Sequence, residues 1–353
     1  MKRFFATALL LAATTAASAQ TLAPPYNTAY TIFNVGSVPG VPNPYGGLTL
    51  LDGDNDTLLI GGAANQSGGA IFAVALQRNE CNNITGFASP ATLYATCPNI
   101  DGGLAYGPGG VLFATGYPIN MVHQFEPGST APDRSIDAGP LTGGNFSLGS
   151  LTFVPSQFTT AGHLKLLMYS SGTIHDSVLT PDGNGTYNLG SAPAIANIGG
   201  GPEGLFYVPP GSPLFPNPTM LVCLYGLNRV DAFDVDSAGN PIISTQRTFI
   251  SGLGGVEGAY IDPQSGDFIF STFAGNSQVI SVRGFARFCD GVDFNNDGLF
   301  PDTADIDDYL SVFSGGPCST GDCGDIDFNN DCLFPDTLDI DSLLSVFSGG
   351  GCL

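Results

Sequence analysis

EGLFYV, residues 203–208, decides how this chain is read, because related hexamers recur along it. GGLTLL begins at Gly46, GGLAYG at Gly102, GSLTFV at Gly149 and EGAYID at Glu257, so a new start comes roughly every 50 residues. Each hexamer is a Gly-containing corner that runs into a short apolar strand. Self-similarity at a near-constant period of this size marks a repeated supersecondary unit. Further short apolar runs follow each start: TLLIGG, AIFAVAL and ATLYAT in the first unit, and VLFATG, MVHQFE and RSIDAG in the second. The third unit reads HLKLLMYS, TIHDSVLT and TYNLGS, and the fourth TMLVCLYG, RVDAFDV and TQRTFIS. The fifth supplies DFIFSTF and QVISVRG, and then lacks an outer strand.

Runs of this length, separated by Gly, Pro, Asn and Asp, are strands rather than helices. Turns such as DPQSGD at Asp262 and DSAGN at Asp236 carry residues that tolerate positive φ. Four-stranded units of about 50 residues that close on themselves make a β-propeller. The chain is therefore expected to be mainly β, with five blades favoured. Six remain possible if the third or fourth unit hides another, and a two-sheet sandwich is the outside alternative. The segment Tyr30–Val35, YTIFNV, precedes the first unit and has no home there. It is expected to supply the missing strand of the fifth blade and so close the ring.

Residues 289–353 have a different pattern. CDGVDFNNDGLFPDTADIDDYLSVFSGGPC, from Cys289 to Cys318, is followed by CGDIDFNNDCLFPDTLDIDSLLSVFSGGGC, from Cys323 to Cys352. The offset is constant: Asp293 answers Asp327, Asp305 answers Asp339 and Phe313 answers Phe347. Asp293, Asn295 and Asp297 fall at loop positions one, three and five, with Gly298 at six, which is the opening of an EF-hand loop. Ca²⁺ takes about six to eight oxygens, and alternate side chains of a tight loop all reach one point. Position twelve is Ala304, so a loop one residue longer, closed by Asp305, is expected, with the Leu299 carbonyl and Asp302 also contributing. The second loop repeats the set as Asp327, Asn329, Asp331, Leu333, Asp336 and Asp339, but has Cys332 where Gly is expected. Ile306, Leu310 and Phe313, then Ile340, Leu344 and Phe347, fall at helical spacing before SGG stops each helix. Two calcium ions and a paired helical module follow. The residues alone also allow an acidic calcium repeat with a purely structural role.

The duplicated loop-plus-helix pattern resembles a dockerin, and more narrowly the cysteine-bracketed GC-type dockerin at the C-terminus of certain secreted bacterial proteins. The resemblance covers residues 289–353. It implies calcium-dependent attachment to a cohesin-like scaffold or surface protein. It also makes Asp302, Thr303, Asp336 and Thr337, just before the closing ligand, candidate contacts to that partner. The longer loop and Cys332 depart from ordinary dockerins.

The chain opens MKRFFATALLLAATTAASAQ, with basic Lys2 and Arg3, an apolar run and a small-residue Ala17-Ser18-Ala19 site. This is a signal-peptide pattern ending at residue 19, and its apolar run is too short for a membrane span. A secreted or cell-surface protein is expected, with a propeller-like domain over 20–288 and the calcium module over 289–353. The formal charge is −22, and 14 of the acids are Asp residues of the tail, which has no Lys, Arg or Glu. So acidic a chain does not fit phosphate backbones, which excludes a nucleic-acid role. Eight cysteines in an exported chain point to disulfides. An antiparallel repeat pair favours Cys289–Cys352 and Cys318–Cys323. Cys81 and Cys97 are a further possible pair, whereas Cys223 and Cys332 have no evident partner.

In the body, Glu203 and Glu257 stand at the same place in adjacent units, one residue before the corner Gly. Both are expected at one mouth of the central channel, either as a cation or acid–base pair or as acceptors for their own corners. The histidines His123, His163 and His175 have no metal-ligand spacing, and no nucleophile elbow, phosphate loop or dinucleotide fingerprint occurs. The leading expectation is a non-catalytic propeller anchored by the tail. The alternative is a hydrolase or lyase on a polysaccharide or lactone, carried by Glu203 and Glu257.

Overall fold

The computed structural model describes residues 20–144, 147–286, 289–299, 302–330, 332–333 and 336–352. The signal-peptide pattern over 1–19, the linker residues 287–288 and the expected ligand Asp331 lie outside them. The body is a five-bladed propeller of antiparallel sheets. The innermost strands are Tyr45–Leu51, Ile100–Tyr106, Leu148–Phe153, Pro202–Tyr207 and Val256–Ile261, each holding one of the recurrent hexamers. From each, the chain steps outward strand by strand.

The ring closes as expected. Thr31–Gly36 is the outer strand of the fifth blade, antiparallel to Val279–Arg283, with Thr31 opposite Arg283 and Phe33 opposite Ser281. Thr21–Leu22 adds a short strand to the fourth blade through Arg247–Ser251. The N-terminal segment thus spans two blades, and Tyr26 and Tyr30 pack on Phe215, Phe249 and Phe285 between them.

Each sheet packs face to face with two neighbours, so its middle strands are buried on both faces. Leu164–Met168, Thr219–Leu224 and Phe268–Thr272 are buried throughout, and all their residues but Lys165, Thr219, Ser271 and Thr272 are apolar. Five apolar clusters fill the five blade interfaces. The outer strand Arg134–Asp137 instead alternates half-buried and exposed residues.

The glycines of the hexamers hold the innermost strands together at the axis. A Cβ on Gly47 would lie 2.8 Å from the Gly102 carbonyl oxygen, and one on Gly258 only 2.5 Å from the Gly47 Cα. Thr115 and Ser271 stitch these backbones. Thr115 Oγ1 accepts from Gly103 N and donates to the Gly149 carbonyl, while Ser271 links Gly258 N to the Gly46 carbonyl.

The third blade departs from expectation. Tyr187–Leu189, within TYNLGS, is not its outer strand; it pairs with Leu179–Pro181 as a separate hairpin. The turn PDGNG folds it back locally: the Asp182 carboxylate accepts from Asn184 N and from Thr186 N and Oγ1. Ala194–Asn197 takes the outer position instead.

The tail holds two helices, α1 (Thr303–Phe313) and α2 (Thr337–Phe347), over one shared core of Val292, Phe294, Tyr309, Phe328 and Leu343. Paired hydrogen bonds relate the copies: Asp290 N to the Phe328 carbonyl at 2.9 Å, and Gly324 N to the Phe294 carbonyl at 2.8 Å. The buried helix faces differ from the expected stripe. Tyr309 and Leu343 point inward, whereas Leu310 and Leu344 are each 45% exposed.

Disulfides join Cys289 to Cys352, Cys318 to Cys323 and Cys81 to Cys332. The last corrects the expected Cys81–Cys97 pair. Cys97 is buried in the core between the first two blades. Cys81 lies instead at the turn of a hairpin, Ala70–Arg78 with Ile84–Phe87, that extends beyond the first blade. That hairpin is braced on the fifth blade by Asn83 Nδ2 to Asp267 Oδ1, 2.9 Å, and by Arg283 Nη2 to the Ile84 carbonyl, 2.7 Å. The tail's second loop is therefore covalently fixed to the propeller. Cys223 is buried without a disulfide partner.

Candidate functional site

At the start of each innermost strand the ladder register slips, at Ile100/Leu104, Pro202/Gly204 and Val256/Ala259 among others. A bulge of this kind re-aims a side chain. Glu203 from the fourth blade and Glu257 from the fifth converge here on Asp101 from the second. One carboxylate oxygen of each lies within 4.8 Å of the others, and no other such group of three occurs among the described residues. Asp101 and Glu257 are each 1% exposed and Glu203 is 5% exposed.

The glycines make this convergence possible. A Cβ on Gly149 would sit 2.0 Å from Glu203 Oε2, and one on Gly102 would sit 3.1 Å from Glu257 Oε2. Few donors compensate the acids. Both oxygens of Asp101, Glu203 Oε2 and Glu257 Oε2 are buried without a donor in hydrogen-bonding geometry. Asn65 and the Gly102 amide lie near enough to Asp101 to favour its charged form in part. Burial pushes all three carboxyls well above the ordinary carboxylate range, and the Asp101 charge raises Glu203 and Glu257 further.

An aromatic collar surrounds the acids. The residue after the second strand of a blade donates its N–H to the residue before the innermost strand: Tyr117 to Asn99, Tyr169 to Ser147, Tyr225 to Gly201 and Phe273 to Gly255. Their rings follow one another at centroid spacings of 6.3, 5.8 and 5.7 Å. In the first blade Ala64 makes the matching bond to Pro44, so the collar is open there, and Asn65 reaches in instead. Asn65, Tyr117, Tyr169, Tyr225, Glu203 and Glu257 line a cavity of about 140 Å³. The opposite mouth holds a larger cavity, about 250 Å³, that includes Asp52, Tyr106 and Tyr260. Among its lining carboxylates only Asp52 is present, so it offers no convergent set of buried groups.

The pair Glu203 and Glu257 is thus brought together as the sequence suggested, but with a third acid that the repeat alignment hides. Asp101 precedes Gly102, and Gly102 holds the position that Glu203 and Glu257 hold in their blades. The slip at Ile100/Leu104 brings Asp101 into their company from one residue earlier. The histidines serve locally: His163 Nδ1 meets Asp176 at 2.7 Å, His175 Nδ1 meets the Ala192 carbonyl at 2.7 Å, and His123 Nδ1 meets Ser135 at 2.7 Å.

The shifted acids give a pH dependence. The folded body keeps protons on Asp101, Glu203 and Glu257 where the unfolded chain has lost them, so the native state binds more protons. Stability then falls as pH rises above about 4, until the raised pKa values are passed. Asp101→Asn is expected to flatten that slope in chelator-containing buffer, read as the denaturant midpoint of wild type against variant across pH. Parallel curves would contradict it.

In the tail, both loops coil around their own acids. Asp293 accepts from Asp297 N and Gly298 N at 3.1 Å, and Asp297 from Leu299 N at 2.8 Å. Asn295 Oδ1 also accepts from Asp297 N, at 3.1 Å. Asp305 is fully buried and faces back into its loop, accepting from Asn295 N and Asp302 N. Asp339 does the same for Asn329 N and Asp336 N. Asp302 and Asp336 cap their helices through Ala304 N and Leu338 N, each at 2.7 Å. Thr303 and Thr337 are exposed beside them, as are Leu299 and Leu333. Asp327 Oδ2 accepts from Cys332 N at 3.0 Å, and Cys332 has φ 70°, close to the 77° of Gly298. The disulfide residue therefore adopts the turn that glycine serves in the first copy.

No family model matches the chain, and no curated protein matches it in sequence. Solved structures share the propeller architecture only distantly. An auxiliary nutrient binding protein from Bacteroides ovatus is 11% identical, covering 72% of this chain and 76% of its own, with a TM-score of 0.42. A glucose dehydrogenase is 10% identical, covering 71% and 99%, with a TM-score of 0.41. A luciferin-regenerating enzyme is 12% identical, covering 72% and 95%, with a TM-score of 0.39. Among the described residues no helix is long and apolar enough to cross a membrane.

Proposed function

We propose that this chain is an exported, non-catalytic propeller, held on an extracellular or cell-surface scaffold by its tail. In this reading the tail is a dockerin-like module that folds around two calcium ions and binds a cohesin-like partner. The observation that carries the reading is the pair of fully buried aspartates, Asp305 and Asp339, each turned back into an acidic loop at the start of its helix. A carboxylate so placed closes a ring of oxygens around a hard cation. The repeated exposed leucines support the docking part. Leu299 and Leu333 are 67% and 68% exposed, and Leu310 and Leu344 are also open. Four exposed leucines on so small a module suit a surface that a protein covers. Asp302, Thr303, Asp336 and Thr337 stand at the two helix starts.

The test is capture. Immobilised full-length protein should retain its scaffold from a cell-envelope extract in calcium and release it on chelation. Retention that survives full chelation would reject the docking mechanism. A hydrolase acting through Glu203 and Glu257 is less well supported. Their oxygens converge with that of Asp101, all within 4.8 Å of one another, so neither glutamate has the separate environment that distinct acid and base roles need. Both are also buried below the collar.

A further inference from the structure

We propose that the propeller mouth itself is a binding site for a single hard divalent cation, held by Asp101, Glu203 and Glu257 with the Asn65 side-chain oxygen at its edge. This site is separate from the tail and does not depend on how the tail is read.

The argument starts from the balance of donors and acceptors. Asp101 is 1% exposed, yet neither of its oxygens meets a donor in hydrogen-bonding geometry, and it points into the space beside Glu203 and Glu257. Each glutamate adds one further buried, unpartnered oxygen. Asn65 Oδ1, on another blade, is also buried and unpartnered. Buried polar groups are ordinarily satisfied, so five acceptors without a donor in one place call for positive charge, as protons shared between the acids or as a bound cation. No Lys or Arg lines the cavity.

The chemistry of the set selects the ion. All donors are oxygens, and no imidazole or thiolate takes part. That suits Ca²⁺, Mg²⁺ or Mn²⁺ rather than Zn²⁺ or Cu²⁺. The backbone is shaped for this arrangement, since Gly149 and Gly102 leave open the volume in which the Glu203 and Glu257 carboxylates lie. The cavity of about 140 Å³ above the acids leaves room for water on the ion, and Tyr169 and Tyr225 wall it.

The experiment uses the full chain with the tail loops neutralised by Asp293→Ala, Asp297→Ala and Asp305→Ala in the first and Asp327→Ala, Asp331→Ala and Asp339→Ala in the second, so that the propeller site is read apart from the tail. Calcium titration by calorimetry should find one ion per chain. Terbium should give luminescence on tyrosine excitation, because the chain has no Trp and Tyr169 and Tyr225 adjoin the site. Adding Asp101→Asn should weaken binding by on the order of 100-fold. Asn65→Ala, at the rim, should weaken it by roughly 10-fold, and Asn65→Gly should do the same without the backbone strain that Ala meets at the φ of 62° found there. No calcium uptake by the tail-neutralised chain would overturn the proposal. So would uptake that Asp101→Asn and Asn65→Ala both leave unchanged. Acids held together by shared protons alone would show the first of these results.

Discussion

Gly204→Ala should destabilise the propeller by about 3 kcal/mol or more, at the extreme of what a single methyl does. Its backbone has no positive φ, so the cost is purely one of space. The added Cβ would lie 2.2 Å from the Glu257 carbonyl oxygen and 3.1 Å from Cys223 Sγ. The first neighbour is backbone of the next blade's innermost strand and has no rotamer to change. Moving it displaces Gly258, whose own Cα position is pressed on Gly47 of the first blade. The strain therefore passes around the ring and cannot relax at one interface. Gly68→Ala is the control, since a Cβ there meets nothing within 4 Å, and a change within about 0.5 kcal/mol is expected. Urea midpoints of the two variants against wild type decide the matter. Equal, small effects would mean that the inner strands are not packed backbone to backbone.

The same glycines explain what was legible. A propeller is readable because its tightest point falls at the same place in every blade, and glycine there leaves a visible period. The homeless strand near the N-terminus was legible for a related reason, since a closed ring leaves no blade one strand short. The outer strand of the third blade was not, because PDGNG makes a local hairpin that competes with the blade edge. Asp101 was hidden because two extra residues enter the ladder between Ile100 and Leu104, one more than in the fourth and fifth blades, so it stands one position before its counterparts. The Cys81–Cys332 bond joins residues 251 apart, and spacing alone carries no information at that range. The one hint was Cys332 itself, standing at a loop position that calls for glycine.

The two copies present two similar loop–helix faces, but only the second loop is bolted to the first blade.

Replacing both closing aspartates, Asp305→Ala with Asp339→Ala, should lower the tail's calcium affinity by on the order of 100-fold or more and abolish scaffold capture. Each side chain does two things at once. It completes its helix's capping box, accepting from the N–H of Asp302 or Asp336, and it turns its other oxygen to the loop at Asn295 or Asn329. Loss of the cap alone costs about 0.5–2 kcal/mol per helix. In the calcium-closed reading, loss of the oxygen also removes the ligand that each helix contributes to its loop. Charge must be separated from ligation, because the tail holds 14 acids and removing any two relieves repulsion. Asp307→Ala with Asp341→Ala supplies that control: these are equivalent positions, equally charged, and both are exposed on the helices. Circular dichroism of each full-length variant, with and without calcium, should show a lost response for the first pair and a retained one for the second. If the two pairs respond alike, net charge rather than coordination governs the tail, and the calcium-closed reading of its loops fails.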